Sequence, residues 1–323
     1  MIFSLEYLIF LIFIGILAGI SSGLLGVGGG FLMVPLQYFL LSSVGVDPDL
    51  ALRISIGTSL AIIIPTALSG AYVHKKELKS IVKPGILLGI FGIVGGVLGA
   101  ISSSYLSGYI LNTVFGVFLI FTAIFFLFSD EYFKSSEKFK RFNKLKKFKK
   151  SKKLNKLKNL KKSKKLNKLK TSNKWGSFFR IFNKPIFKTL INPIFGICIG
   201  FLSGLLGIGG GIFLVPGLVF ILACSMREAI GISTIFISLA AIGGVIPYIL
   251  TGLSVNTIPF SIGYINLVNL SIIAIFSIIF ANIGARLVYK VPERRLKQIF
   301  TLIIIYMGIK ILGLDPISYF LGM

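Results

Sequence analysis

The chain has 323 residues, of which 55% are apolar, and the formal net charge is +25. Uncharged apolar stretches of about 18 or more residues recur along it, which excludes an ordinary soluble domain. The charge does not indicate a nucleic-acid-binding fold, because 23 of the 35 lysines and arginines fall between Lys134 and Lys188. We therefore expect a helical protein that crosses the membrane several times, and we do not expect nucleic acid to be a partner.

The first half of the chain begins with a predicted apolar helix over residues 5–25. Residues 26–30 include four glycines and interrupt it, because glycine loses more chain entropy in a helix than any other residue and tolerates left-handed turns. A short apolar piece over 31–41 follows, too short to span about 30 Å of hydrocarbon. Three longer helices are predicted next, over residues 51–73, 84–101 and 109–128. The second of these carries glycines about four apart, a spacing that predicts close helix packing.

A lysine-rich linker occupies residues 131–188 and contains the sequence KKLNKLK twice. Its apolar residues recur at every third position, as in a basic amphipathic helix on an anionic lipid surface. Like-charge repulsion favours a solvated, disordered tether instead. Both interpretations of the linker stay open.

The second half repeats the first, because residues 200–216 match residues 19–35 without a gap, 181 positions later. The second glycine break falls at 207–211, and the predicted helices around it cover residues 189–206, 212–223, 229–250, 261–285 and 299–312. The match continues further along, where Gly57-Thr-Ser-Leu aligns with Ile232-Ser-Thr-Ile. The sequence therefore indicates an internal duplication.

Loop charges orient the two halves, since lysine and arginine collect in cytoplasmic loops. The basic segments are residues 75–83, the linker and 286–297. All three fall on one side if each glycine-broken segment enters and leaves the membrane on the same side. The predicted fold is thus an all-α polytopic membrane protein of two inverted repeats, each a glycine-broken helix hairpin plus three transmembrane helices. Its domains are 1–130, 131–188 and 189–323, with the linker cytoplasmic and both termini outside the cell membrane.

Inverted repeats with broken helices are a transporter architecture. Each short helix begins directly after the glycines, and a helix N-terminus presents unpaired N–H donors and a partial positive charge. Two such termini facing each other would hold a small anion without a buried lysine or arginine. The candidate binding residues are the glycines of the breaks and the hydroxyls near them: Ser22, Gly28, Gly29, Gly30, Thr58, Ser59, Ser203, Gly209, Gly210, Gly211, Ser233 and Thr234. The alternative is that the glycines only permit close helix crossing and the hydroxyls bond their own helices.

Other chemistries find little support in the sequence. Aspartate and glutamate occur only at the ends of the predicted helices or in loops, which argues against a buried proton relay and a membrane-embedded hydrolase. The single histidine excludes a multi-histidine metal site, and the predicted spans offer neither paired carboxylates nor an activated nucleophile, so we expect no enzyme activity and no cofactor. Three asparagines are the most polar side chains inside predicted spans, and they either bond neighbouring helices or line a pathway: Asn266, Asn269 and Asn282.

The duplicated order of an apolar helix, Gly-Leu-Leu-Gly-[Val/Ile]-Gly-Gly-Gly, a short piece ending in Val-Pro, and Gly-Thr-Ser-Leu resembles the TauE/SafE sulfite-exporter family of membrane permeases. The resemblance covers the chain except for the linker. It implies a permease for a small anion such as sulfite, a sulfonate or a related carboxylate. The alternatives are an anion channel, a cation-coupled importer, and a membrane scaffold or lipid-binding regulator that acts through the linker.

Overall fold

The computed structural model describes residues 4–73, 78–124, 185–220, 226–253, 259–287 and 293–313. Within these ranges the chain is helical, apart from connecting turns and one pair of two-residue strands. The two interpretations of the lysine-rich linker concern residues that lie almost entirely outside the described ranges.

The helices of the described chain are α1 (Leu5–Leu25), α2 (Gly30–Ser43), α3 (Pro48–Val73), α4 (Leu78–Tyr105), α5 (Gly108–Ile124), α6 (Pro185–Leu206), α7 (Gly211–Phe220), α8 (Met226–Thr251), α9 (Leu267–Leu287) and α10 (Glu293–Ile311). Five helices of the described part, α1, α3, α4, α8 and α9, are long and apolar enough to cross a membrane. The prediction of a helical, multi-pass membrane protein is thereby confirmed.

Helix α4 has one exposed apolar face and another face that packs against protein. Ile86, Ile90 and Val94 lie four residues apart, so they share one helix face, and each is about half exposed. On another face, Gly89 lies against Leu239 and Gly96 against Ala240 of α8. The predicted role of the α4 glycines in close packing is therefore confirmed.

The segment before α9 differs from the sequence prediction. In place of a helix from residue 261, two antiparallel strands are present, β1 (Ser261–Ile262) and β2 (Ile265–Asn266), joined by a turn in which Gly263 has φ 58°. The Asn266 side chain then caps α9, because its Oδ1 accepts a hydrogen bond from the Asn269 backbone N–H at 3.0 Å. The prediction of helix over residues 261–266 is wrong, since an asparagine that bonds a backbone donor three residues later starts a helix.

Contacts between helices fix their relative directions. Gly57 of α3 lies against Tyr248 of α8, while Gly70 lies nearest to Thr234, so α3 and α8 run antiparallel. Helices α1 and α2 form a hairpin. The start of α1 and the end of α2 line one cavity, and the start of α2 returns to Ala18, well along α1.

Candidate functional site

Each predicted glycine break is a tight turn that joins a long helix to a short one. We call residues 26–30 the first glycine turn and residues 207–211 the second glycine turn. Three glycines in each turn have a positive φ, which residues with a side chain rarely adopt. They are Gly26 (64°), Gly28 (86°), Gly29 (76°), Gly207 (68°), Gly209 (82°) and Gly210 (72°). The breaks predicted from the sequence are therefore present, and their glycines are needed for backbone conformation.

The last glycine of each turn has a different role, because neither Gly30 nor Gly211 has a positive φ. A Cβ added at Gly30 would lie 2.6 Å from the carbonyl oxygen of Gly207. A Cβ added at Gly211 would lie 2.6 Å from the Cα of Val27. The two glycine turns thus pack directly against each other, and any side chain at these positions would push them apart.

Two serines connect the turns in a reciprocal way. Ser59 of α3 donates a hydrogen bond to the carbonyl oxygen of Gly207 at 2.7 Å, and Ser233 of α8 donates one to the carbonyl oxygen of Gly26, also at 2.7 Å. Each hydroxyl also lies within hydrogen-bond distance of a carbonyl three residues earlier in its own helix. Each half of the chain therefore holds the glycine turn of the other half.

This arrangement corrects the register of the duplication beyond the turns. The sequence alignment placed Gly57 opposite Ile232, which made Ser59 equivalent to Thr234. The hydrogen bonds instead make Ser59 equivalent to Ser233, and the same register places Gly57 opposite Gly231. The sequence alignment was therefore one residue out of register here, because neighbouring hydroxyl residues such as Ser233 and Thr234 cannot be told apart without their contacts.

The remaining candidate hydroxyls fall into two groups. Thr58 accepts a hydrogen bond from the backbone N–H of Asn266 at 3.0 Å, and Thr234 donates to its own helix at 2.9 Å. By contrast, the buried hydroxyl of Ser203 has no hydrogen-bond partner within the described ranges. Ser22, its equivalent in the first half, is also buried and makes no side-chain hydrogen bond to a described residue. Both serines lie four residues before their glycine turn.

Backbone donors collect where the turns meet. In the described part of the chain, the N–H groups of Gly28, Gly29 and Gly30 and of Gly209, Gly210 and Gly211 have no hydrogen-bond acceptor, and all six residues are buried. Ile63 and Ile237 cover the crossing, since both lie within 3.6 Å of a Cβ built at Gly28 or at Gly209. The helices α2 and α7 both begin here, so their dipoles add positive potential at the same place.

Charged residues lie away from this crossing in the part of the chain that the structure describes. The acidic residues are at helix ends, and no group of three His, Cys, Asp or Glu residues there could hold a metal ion. Arg53 is buried, but its guanidinium donates to Asp49 and to the carbonyls of Ser103 and Leu106. The crossing therefore offers neutral donors and no charged side chain.

The polar side chains inside the helices have unequal roles. Asn269 accepts a hydrogen bond from the Tyr7 hydroxyl at 2.8 Å, and Asn282 donates one to Ser69 at 2.7 Å, so both join neighbouring helices. Gln37 of α2 was not among the residues selected from the sequence. It is fully buried, and neither its Oε1 nor its Nε2 has a hydrogen-bond partner among the described residues. In the sequence, Gln37 stands out only as the single amide side chain in the apolar piece over 31–41.

Comparison with known proteins identifies the family of this chain. The sequence model of the family described as "Sulfite exporter TauE/SafE" matches residues 11–311. A protein of Methanocaldococcus jannaschii named a probable membrane transporter protein is 29% identical over 305 residues, which is 93% of each chain. A probable membrane transporter protein of Haemophilus influenzae is 27% identical over 94% of this chain and 97% of its own. No solved structure matches the chain significantly. The chain therefore belongs to the sulfite exporter TauE/SafE family and is a membrane transporter with several transmembrane helices.

Proposed function

We propose that this transporter is a permease that moves a small anion across the cell membrane by alternating access, and that it binds the anion between the two glycine turns. The observation that carries the proposal is the crossing itself, where buried backbone N–H groups, among them those of the last three glycines of each turn, have no acceptor among the described residues. Buried backbone donors are rarely left unpaired in proteins. Oxyanions such as sulfite, a sulfonate or a carboxylate offer several acceptor oxygens to such donors.

In this proposal the hydroxyls of Ser22 and Ser203 complete the anion site, because both are buried close to the turns. The Ser203 hydroxyl has no partner, and Ser22 makes no side-chain hydrogen bond, among the described residues. Ser59 and Ser233 act as positioning residues, since they hold the turns through the Gly207 and Gly26 carbonyls. Thr58 is a further candidate contact for the anion, and its hydroxyl oxygen already accepts a hydrogen bond from the Asn266 backbone N–H.

The two halves, residues 1–130 and 189–323, are proposed to be inverted repeats about a pseudo-two-fold axis through the crossing. The antiparallel course of α3 and α8, and the reciprocal Ser59 and Ser233 hydrogen bonds, support this arrangement. In the corresponding orientation the lysine-rich linker (131–188) is cytoplasmic, where it could meet anionic lipid, and both termini are outside. Rocking of one half against the other would expose the crossing to each side in turn.

Flux measurements test this function. The purified protein in liposomes would be assayed with sulfite, sulfate, sulfoacetate and short carboxylates, and alternating access predicts that anion on the far side accelerates exchange. Ser203→Ala removes one proposed donor and should raise the KM for the transported anion about three- to tenfold, a change that corresponds to the free energy of one hydrogen bond. Ser271→Ala is the matched control, because that exposed hydroxyl bonds only the Leu267 carbonyl of its own helix. Absence of flux for every anion would refute the proposed function.

A further inference from the structure

Gln37 is an unusual residue for the interior of an apolar helix, because its polar side chain is buried without a partner among the described residues. It is fully buried, and both polar atoms of its amide lack a hydrogen-bond partner within the described chain. Most buried polar side chains in proteins are hydrogen-bonded, because an unpaired buried amide destabilises the fold. A leucine of similar size would fill the same space without this penalty, so the amide points to a role in binding.

Along α2, Gln37 lies between the first glycine turn and the end of the helix that lines a cavity. It lies seven residues after Gly30, which is two helical turns or about 10 Å along α2, on nearly the same helix face. Long side chains on helices lean towards the helix N-terminus, which for Gln37 is the direction of the first glycine turn. One turn further along, Leu40 lines an open cavity of about 840 Å³ with Tyr7, Tyr38 and Lys310.

The lining of that cavity includes one basic and one acidic residue, Lys310 and Glu6. Lys310 lies 4.5 Å from the centre of the Phe39 ring, and no acidic residue pairs with it among the described residues. The Lys310 ammonium offers an anion one cationic contact at the mouth, while the formal charge of the cavity as a whole is balanced by Glu6. Gln37 is then the first strongly polar side chain of α2 on the way from the cavity to the glycine turns.

The Gln37 amide differs in chemistry from the backbone groups of the proposed site. Backbone N–H groups only donate, whereas the Gln37 side chain also offers a carbonyl oxygen that can accept. An anion with acceptor oxygens alone leaves that carbonyl unsatisfied. The equivalent residue in the second half is Leu218, buried and apolar, so only the first half presents this acceptor.

We propose that Gln37 is a specificity-determining residue, which selects small organic anions that carry a hydroxyl group by accepting a hydrogen bond from that group. The proposal rests on the proposed function and names the substrate class for the same site. The anionic end of the substrate lies at the glycine turns, and the hydroxyl end faces the Gln37 carbonyl oxygen.

The test uses a substrate pair that differs by one hydroxyl group, hydroxyethanesulfonate and ethanesulfonate, with the full-length protein in liposomes. The wild-type protein should transport the hydroxylated sulfonate with a kcat/KM at least about tenfold higher. Gln37→Leu, which copies Leu218, should reduce this ratio to within about twofold of one. Asn112→Leu is the control, because Asn112 also has an unpaired buried amide oxygen but lies on α5 and should keep the preference.

The outcomes separate this proposal from the proposed function. Equal transport of both sulfonates by the wild type, or an unchanged preference in Gln37→Leu, overturns the role of Gln37 while anion transport stands. If the protein transports sulfite or sulfate but neither sulfonate, the role of Gln37 is likewise overturned while anion transport stands. If the protein transports no anion, both proposals are overturned. Thermal unfolding should show Gln37→Leu to be at least as stable as the wild type. If that variant does not insert, Gln37→Met removes the same acceptor with a more flexible side chain.

Discussion

The reciprocal serines allow a direct test of how the two halves are joined. Ser59→Ala removes the only hydrogen bond that the described residues donate to the Gly207 carbonyl, and Ser233→Ala does the same at Gly26. Both carbonyls are buried, so each substitution leaves an acceptor without a donor. We expect each variant to lose about 1–2 kcal/mol of unfolding free energy, near the upper end of interhelical hydrogen bonds measured in membranes.

Ser55 supplies the matched control on the same helix. Its hydroxyl is also buried, but it donates only to the Ala51 carbonyl in its own helix, where a backbone N–H remains as a donor. Ser55→Ala should therefore change the unfolding free energy by less than about 0.5 kcal/mol.

Equilibrium unfolding in mixed detergent and SDS micelles measures all three variants under one set of conditions. The equivalence of Ser59 and Ser233 predicts similar losses for these two. The reasoning would be refuted if both variants were as stable as Ser55→Ala. A large loss in one of them alone would contradict the reciprocal arrangement of the turns.

Two further predictions concern packing and orientation. Gly19→Ala should destabilise the protein by about 1–3 kcal/mol, because the added Cβ would lie 2.6 Å from the Ser277 carbonyl oxygen of α9. Gly70→Ala, whose nearest neighbour would be 3.9 Å away, should be neutral or stabilise α3, and equal unfolding free energies for the two variants would contradict this account. For orientation, cysteines would be placed at the exposed residues Leu253 and Arg286 in a variant without the native cysteines. A membrane-impermeant maleimide should label intact cells at Leu253 and not at Arg286, and equal labelling would rule out the inverted orientation.

The candidate site was only partly accessible to sequence analysis. The glycine turns could be located because a cluster of glycines inside an apolar stretch is a local signal, and the same signal occurs twice. The roles of the hydroxyls could not be separated, since Ser59 and Ser203 look alike in sequence. One donates across the protein to Gly207, and the other has no partner among the described residues. Gln37 was missed because its burial depends on helices distant in the sequence.

Local sequence determined most of the helices, the two breaks and the assignment to membrane proteins, because the length of an apolar stretch and its glycine content act within a few helical turns. Tertiary structure alone decided that the turns from the two halves cross at Gly30 and Gly211, and that Ser59 and Ser233 hold them. It also decided the repeat register beyond the turns and the strand pair before α9. These features depend on contacts between residues more than one hundred positions apart or on a side chain that caps its own helix. Their free energy comes from packing and hydrogen bonding that a local pattern does not contain.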